Sequence, residues 1–131
     1  MPQKRDRGRF AYEGLDRLFH ERARLAILTT LASRPSGVVF SDLKTLCSLT
    51  DGNLSRHLQL LRDAAVVEVW KRSGGARPQS LVRLSGEGRR RFLAYLDVLE
   101  AVVRDAALAA KKETKESSEA RPGGDPGFLP A

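Results

Sequence analysis

The chain has 131 residues, 41% hydrophobic and 30% charged, with a formal net charge of +7. That length suits one domain with a modest core, the lone Cys47 excludes an intrachain disulfide, and no apolar run approaches the roughly 20 residues of a membrane span. The basic excess favours a polyanionic partner, nucleic acid before a membrane surface. It is unevenly placed: residues 1–13 carry four basic and two acidic groups, residues 14–110 fifteen and ten, and residues 111–131 four of each. The first ten residues, MPQKRDRGRF, lack the apolar core of a signal peptide, so the expected location is cytoplasmic.

Residues 1–13 read as a flexible basic arm, either a disordered terminus or one that touches phosphates. Residues 14–110 read as the folded domain. Its first element is a helix over 15–33, with Leu15, Leu18, Phe19, Ala23, Ile27, Leu28 and Leu31 as its apolar face and Arg34-Pro35-Ser36-Gly37 as its stop. Val38-Val39-Phe40 is a short edge strand. Ser41 then caps a second helix over 42–48, with Leu43, Leu46 and Cys47 facing in.

The stretch from Thr50 to Ala65 is the most legible. Leu54, Leu58 and Leu61 recur at i, i+4 and i+7, so they form one buried stripe. Thr50 suits the N-cap, Asp51 complements the helix dipole, and Leu49 with Leu54 makes a hydrophobic staple. Gly52, Asn53, Ser55, Arg56, Gln59 and Asp63 fall outside the buried stripe, where Asn, Ser, Arg and Gln can bond base edges. With the helix before it, across a tight link, the segment makes a helix-turn-helix. By themselves the two helices fit a structural corner equally well.

Two β-branched runs follow, 66–71 and 81–84, separated by the Gly, Pro and Arg-rich segment 72–80, which reads as a mobile hairpin tip. This region holds four basic groups against one acid. A helix-turn-helix followed by a basic hairpin is a winged helix. Ser85 caps a last helix over 86–110, about 37 Å long at 1.5 Å per residue. Its stripe of Phe92, Leu96, Leu99, Val103, Ala106 and Ala110 steps by 4, 3, 4, 3, 4, a coiled-coil type of seam. It packs either on the first helix of its own chain or on a second copy. A homodimer is expected, because the stripe outruns the body. Residues 111–131 read as a disordered tail. The fold class is thus mainly α with a small β-hairpin, a winged helix-turn-helix plus a long C-terminal dimerisation helix.

These features resemble bacterial winged-helix transcriptional regulators of the MarR/ArsR kind. The likeness is carried by His20-Glu21-Arg22-Ala23-Arg24-Leu25-Ala26-Ile27-Leu28 and by Leu49-Thr50-Asp51-Gly52-Asn53-Leu54-Ser55-Arg56-His57-Leu58. Val66-Val67-Glu68-Val69 and Leu84-Ser85-Gly86-Glu87-Gly88-Arg89 extend it. The resemblance implies that Asn53, Ser55, Arg56 and Gln59 contact bases and nearby phosphates of double-stranded DNA, and that Arg72, Arg77 and Gln79 make wing contacts. Ala65 stands where many such relatives have Gly. Leu60 stands where they show a polar residue, implying an extra contact within the protein.

Other groups have plainer readings. Asp51 serves the helix start, Gly52 would admit a close backbone approach, and His57 packs or hydrogen-bonds at the rim of the stripe. His20 is a candidate for a place beside the long helix at the dimer interface. Cys47 reads as a small core residue before an oxidation sensor. Arg89-Arg90-Arg91 is either a solvated face or a phosphate neighbour. No metal site, cofactor or catalytic constellation is expected. The function implied is a sequence-specific DNA-binding transcriptional regulator, a repressor in its simplest form, with any effector left open. A protein-binding winged helix and a non-specific nucleic-acid binder are the alternatives.

Overall fold

The computed structural model describes residues 6–72 and 77–119, with side chains as far as 115. The order is α1 (Arg22–Ser33), β1 (Val38–Val39), α2 (Phe40–Cys47), α3 (Asp51–Asp63), β2 (Val67–Arg72), β3 (Gln79–Leu84) and α4 (Gly86–Glu119). The strands form one antiparallel sheet in the order β1-β3-β2. Val67 faces Leu84 at one end of the hairpin and Arg72 faces Gln79 at the other. This is the winged-helix arrangement expected from the sequence. Among the described residues no helix is long and apolar enough to cross a membrane.

One core unites every layer. Ile27, Leu28 and Leu31 of α1 meet Leu43 of α2, Leu54, Leu58 and Leu61 of α3, and Val67, Val82 and Leu84 of the sheet. Phe19, Phe92 and Tyr95 close it from the α4 side, with ring centroids 5.7 to 6.2 Å apart. Gly88 lets α4 cross the end of α3, since a Cβ there would lie 2.0 Å from the Val66 carbonyl oxygen.

Several boundaries differ from the sequence reading. The first helix starts at Arg22 rather than 15, because the Glu21 carboxylate caps it, accepting from the amides of Ala23 and Arg24 at 3.0 and 2.8 Å. Before it, Asp16 organises turns by accepting from the Leu18 amide with its side chain and from the Phe19 and His20 amides with its carbonyl. Phe40 belongs to α2 rather than to the strand, and Val39, not Ser41, is the N-cap, with no side-chain bond. Leu46 is 53% exposed instead of facing in. Cys47 is partly buried against the core, its sulfur 3.7 Å from Thr30 Oγ1.

Both ends of the chain also depart from expectation. Residues 6–13 of the arm dock on α4: Arg9 donates to both Asp105 oxygens at 3.1 and 3.3 Å, and the Tyr12 hydroxyl donates to Oδ2 at 2.6 Å. Arg9, then Tyr12, holds the Asp105 carboxyl below its ordinary pKa, and Asp105 in turn raises those of Arg9 and Tyr12. The expectation for residues 1–5 lies outside the described residues. α4 continues past Ala110 to Glu119, because 111–119 are mostly good helix formers and no helix-breaking Pro appears before Pro122. The tail expected over 120–131 lies outside the described residues. With 34 residues, α4 extends about 51 Å.

The stripe on α4 is divided. Phe92, expected in a dimer seam, is 2% exposed inside its own core, so it has no surface left for a partner. Leu96 and Leu99 are partly buried on the same core. Val103 and Ala106 are exposed.

Between α3 and β2, Ala65 holds φ at +61°, a left-handed conformation that costs an L-residue about 1–2 kcal/mol. Glycine would relieve that cost, and its greater unfolded-state freedom offsets part of the gain. Ala65→Gly should therefore stabilise the chain by about 0.5–1 kcal/mol in urea unfolding. An unchanged or lower midpoint contradicts this.

Candidate nucleic-acid interface

α3 is defined at its start by the predicted cap. The Thr50 hydroxyl oxygen accepts from the Asn53 amide at 3.2 Å, and Lys44 of α2 pairs with Asp51 at 2.9 Å. Burial of Leu54, Leu58 and Leu61 then sets the rotation of the helix about its axis. As a result Asn53, Ser55, Arg56 and Gln59 all lie on exposed surface. Arg56 Nη2 donates to Asn53 Oδ1 at 3.4 Å and Gln59 Nε2 donates to Asp63 Oδ1 at 2.8 Å. Both bonds are exposed and exchangeable. The face offers a guanidinium fork and two amides, the groups that pair bidentately with guanine and adenine edges. Leu60 lies on this side too, 46% exposed, and so does not make the internal contact expected of it.

Polar and charged groups brace α3 from both ends, Arg24 and Arg91 in roles the sequence does not announce. Arg24 Nη1 donates to His57 Nδ1 at 3.2 Å while its Nε donates to the Leu18 carbonyl at 2.6 Å. Glu21 lies 3.9 Å from the same His57 nitrogen. Burial works to raise the Glu21 pKa, but the Arg24 and Ala23 amides, with the Arg24 charge, bring it below its ordinary value. At the other end Arg91 donates to the carbonyl of Ala64, the C-cap of α3, at 3.2 Å, and to Asp16 at 3.1 Å. Its guanidinium also lies 5.2 Å from the Phe19 ring centroid. Arg91 is thus a brace, neither freely solvated nor a free phosphate ligand, while Arg90 pairs with Glu87. The only signal for these roles was charge at positions flanking apolar faces. The Ser85 hydroxyl joins the same corner, donating to the Ala65 carbonyl at 2.7 Å and accepting from the Gly88 amide at 2.8 Å. His20 lies beside α4, hydrogen-bonded through Nδ1 to the Tyr95 hydroxyl at 2.6 Å; burial raises the Tyr95 pKa.

The hairpin splits its polar residues between two faces, because successive strand residues alternate. Lys71 and Ser80, paired across the strands, line a groove that α3 completes with Ser55, Gln59 and Arg62. Arg72 and Gln79, also paired, belong to the outer face with Trp70 and Leu81. There Arg83 sits 4.9 Å from the Trp70 ring centroid and bonds Glu68 at 3.0 Å. Arg77 is exposed at the described edge of the tip, and residues 73–76, the rest of the expected mobile tip, lie outside the described residues. Lys71 and Arg62 are groove cations absent from the site expected from the sequence. For Lys71 the available signal is its phase: it falls on the same strand face as Val67 of the core and the partly buried Val69.

Comparison with known proteins places these features in a wider set. Residues 23–103 match the winged helix DNA-binding domain family. An uncharacterized protein of Methanocaldococcus jannaschii is 35% identical over 57 residues, 44% of this chain and 62% of that protein, so the match spans less than two thirds of the relative's length. The structure of a transcriptional regulator homologue from Pyrococcus horikoshii superposes with a TM-score of 0.63 at 27% identity, covering 68% of this chain and 87% of that one. The fold is also that of MepR from S. aureus, solved as a DNA complex, with a TM-score of 0.61 at 14% identity over 88% and 94% of the two chains.

Gly52 lies in the first turn of α3, where an added Cβ meets nothing within 4 Å. Because helical glycine is less favourable than alanine, Gly52→Ala should raise stability by about 0.5–1 kcal/mol in denaturant melts. A loss of stability would mean that the chain itself requires glycine there.

Proposed function

The chain belongs to the winged helix DNA-binding domain family, and on that premise we propose that it is a transcriptional regulator that binds double-stranded DNA sequence-specifically as a homodimer. The observation that carries this reading is the exposed face of α3, where Asn53, Ser55, Arg56 and Gln59 stand together while three leucines anchor the opposite side. In this proposal α3 enters the major groove. Arg56 supplies a bidentate contact to a guanine edge or a phosphate, and Asn53, Ser55 and Gln59 contact neighbouring bases and phosphates. Lys71, beside α3, neutralises a flanking phosphate. Arg72, Arg77 and Gln79 reach the backbone or the adjacent minor groove from the outer face of the wing. Repression by occluding a promoter is the simplest consequence. The reading requires no cofactor, metal or catalytic residue.

The proposed dimer uses the part of α4 that its own core does not cover. Val103 is 60% exposed and Ala106 is exposed, in line with the half-buried Leu96 and Leu99. A two-fold axis through this stripe gives two recognition helices, hence a roughly palindromic site with half-sites about 34–36 Å apart.

Selection from a random DNA pool with the purified chain tests the specific reading. It should recover a motif at moderate salt, and recovery of none contradicts a sequence-specific regulator. Arg56→Ala should weaken binding to that motif by about 1–3 kcal/mol and relax specificity at one position. A small, sequence-independent loss would instead favour charge-only binding. The dimer is tested separately by sedimentation. Val103→Glu should shift the chain to monomer without unfolding it, and an unaltered dimer places the interface elsewhere.

A further inference from the structure

Leu60 presents an apolar side chain on the polar side of α3. It is 46% exposed and lies outside the core cluster, whereas Leu54, Leu58 and Leu61 are buried. A lone exposed leucine is ordinary. What distinguishes Leu60 is alignment: it follows Arg56 by four residues and Asn53 by seven, along the same ridge on which Arg56 reaches Asn53 at 3.4 Å. A helix rises 1.5 Å per residue, so Leu60 lies about 6 Å beyond Arg56 along the axis. Successive base pairs are about 3.4 Å apart, so this step spans one to two of them. In the major groove of unmodified DNA, the apolar group on a base edge is the C5-methyl of thymine.

We propose that Leu60 is a specificity-determining residue that packs on the C5-methyl of a thymine, one to two base pairs from the pair contacted by Arg56. The inference rests on the reading that α3 enters the major groove, and it adds a base identity to it. No hydrogen bond is involved. Discrimination comes from covering a methyl group that cytosine and uracil lack. Asp63, one turn along from Gln59 and bonded to it at 2.8 Å, is the acid of the same helix end. An apolar contact beside an acid suits the floor of the groove better than another phosphate contact would.

The test uses the full chain and the duplex it selects from a random pool. Each thymine of that site is replaced singly by deoxyuridine, which removes the methyl and leaves every hydrogen-bonding group. At one thymine per half-site the replacement should weaken the wild type about two- to fivefold, the loss expected for uncovering one methyl. Leu60→Ala should already be weakened and be indifferent to the replacement, while Leu60→Met, which keeps apolar reach, should stay sensitive. A Leu60→Ala chain with wild-type sensitivity at every thymine overturns the inference. So does a wild type that no deoxyuridine weakens, or a Leu60→Ala chain whose dimer dissociates, which would place a second copy over Leu60. Loss of binding on Arg56→Ala alongside an unchanged motif on Leu60→Ala overturns this inference alone. Failure of the wild type to select any motif overturns it together with the reading beneath it.

Discussion

Leu54, Leu58 and Leu61 sit at 0, 6 and 0% exposure on one side of a 13-residue helix. Fully burying a leucine contributes about 1.5–3 kcal/mol, so these three together are worth roughly 5–9 kcal/mol. That is comparable with the whole stability of an ordinary domain, about 5–15 kcal/mol. The helix therefore cannot rotate about its axis without forfeiting much of what keeps the chain folded. Everything proposed for the outer face follows from that constraint. The Thr50 cap, the Arg24–His57 bond and the Arg91–Ala64 bond then fix where α3 begins, how it leans on α1 and where it ends. These polar contacts are exposed or half-buried, so they position the helix more than they stabilise it.

The apolar stripe of α4 is divided between the core and the surface. Up to Leu99 the stripe completes the core, with Phe92 and Tyr95 stacked beside Phe19. Beyond it, Val103 and Ala106 continue the same line into solvent. The N-terminal arm covers another side of this helix through Asp105. In the proposed dimer, a second copy buries the exposed remainder of the stripe.

The sequence was most legible where signals were local. The cap, the leucine spacing and the length of α3 are all readable within sixteen residues, and the hairpin with the Ser85 cap within the twenty that follow. It was least legible where partners are remote. Arg9 and Asp105 are 96 positions apart, and Asp16 and Arg91 are 75 apart; nothing in one member of either pair announces the other. The start of α1 is hidden in the sequence because turns built on Asp16 repeat apolar residues at nearly helical spacing, and the early Phe19 is buried in either case. Leu46 reads as inward from hydrophobicity and Leu60 from its departure from the polar residue of similar regulators, and neither signal distinguishes a core face from exposed surface. Ala65 keeps the left-handed turn that a glycine would have advertised, so the turn survived although its usual marker was missing.

Methylation protection at guanine N7, an atom that lies in the major groove, tests most directly whether α3 occupies that groove. On a duplex selected by the wild-type chain, two protected clusters about 10–10.5 base pairs apart are predicted, one for each recognition helix of a dimer. Bound duplex with every guanine N7 still reactive, or with protection confined to minor-groove atoms, would contradict it.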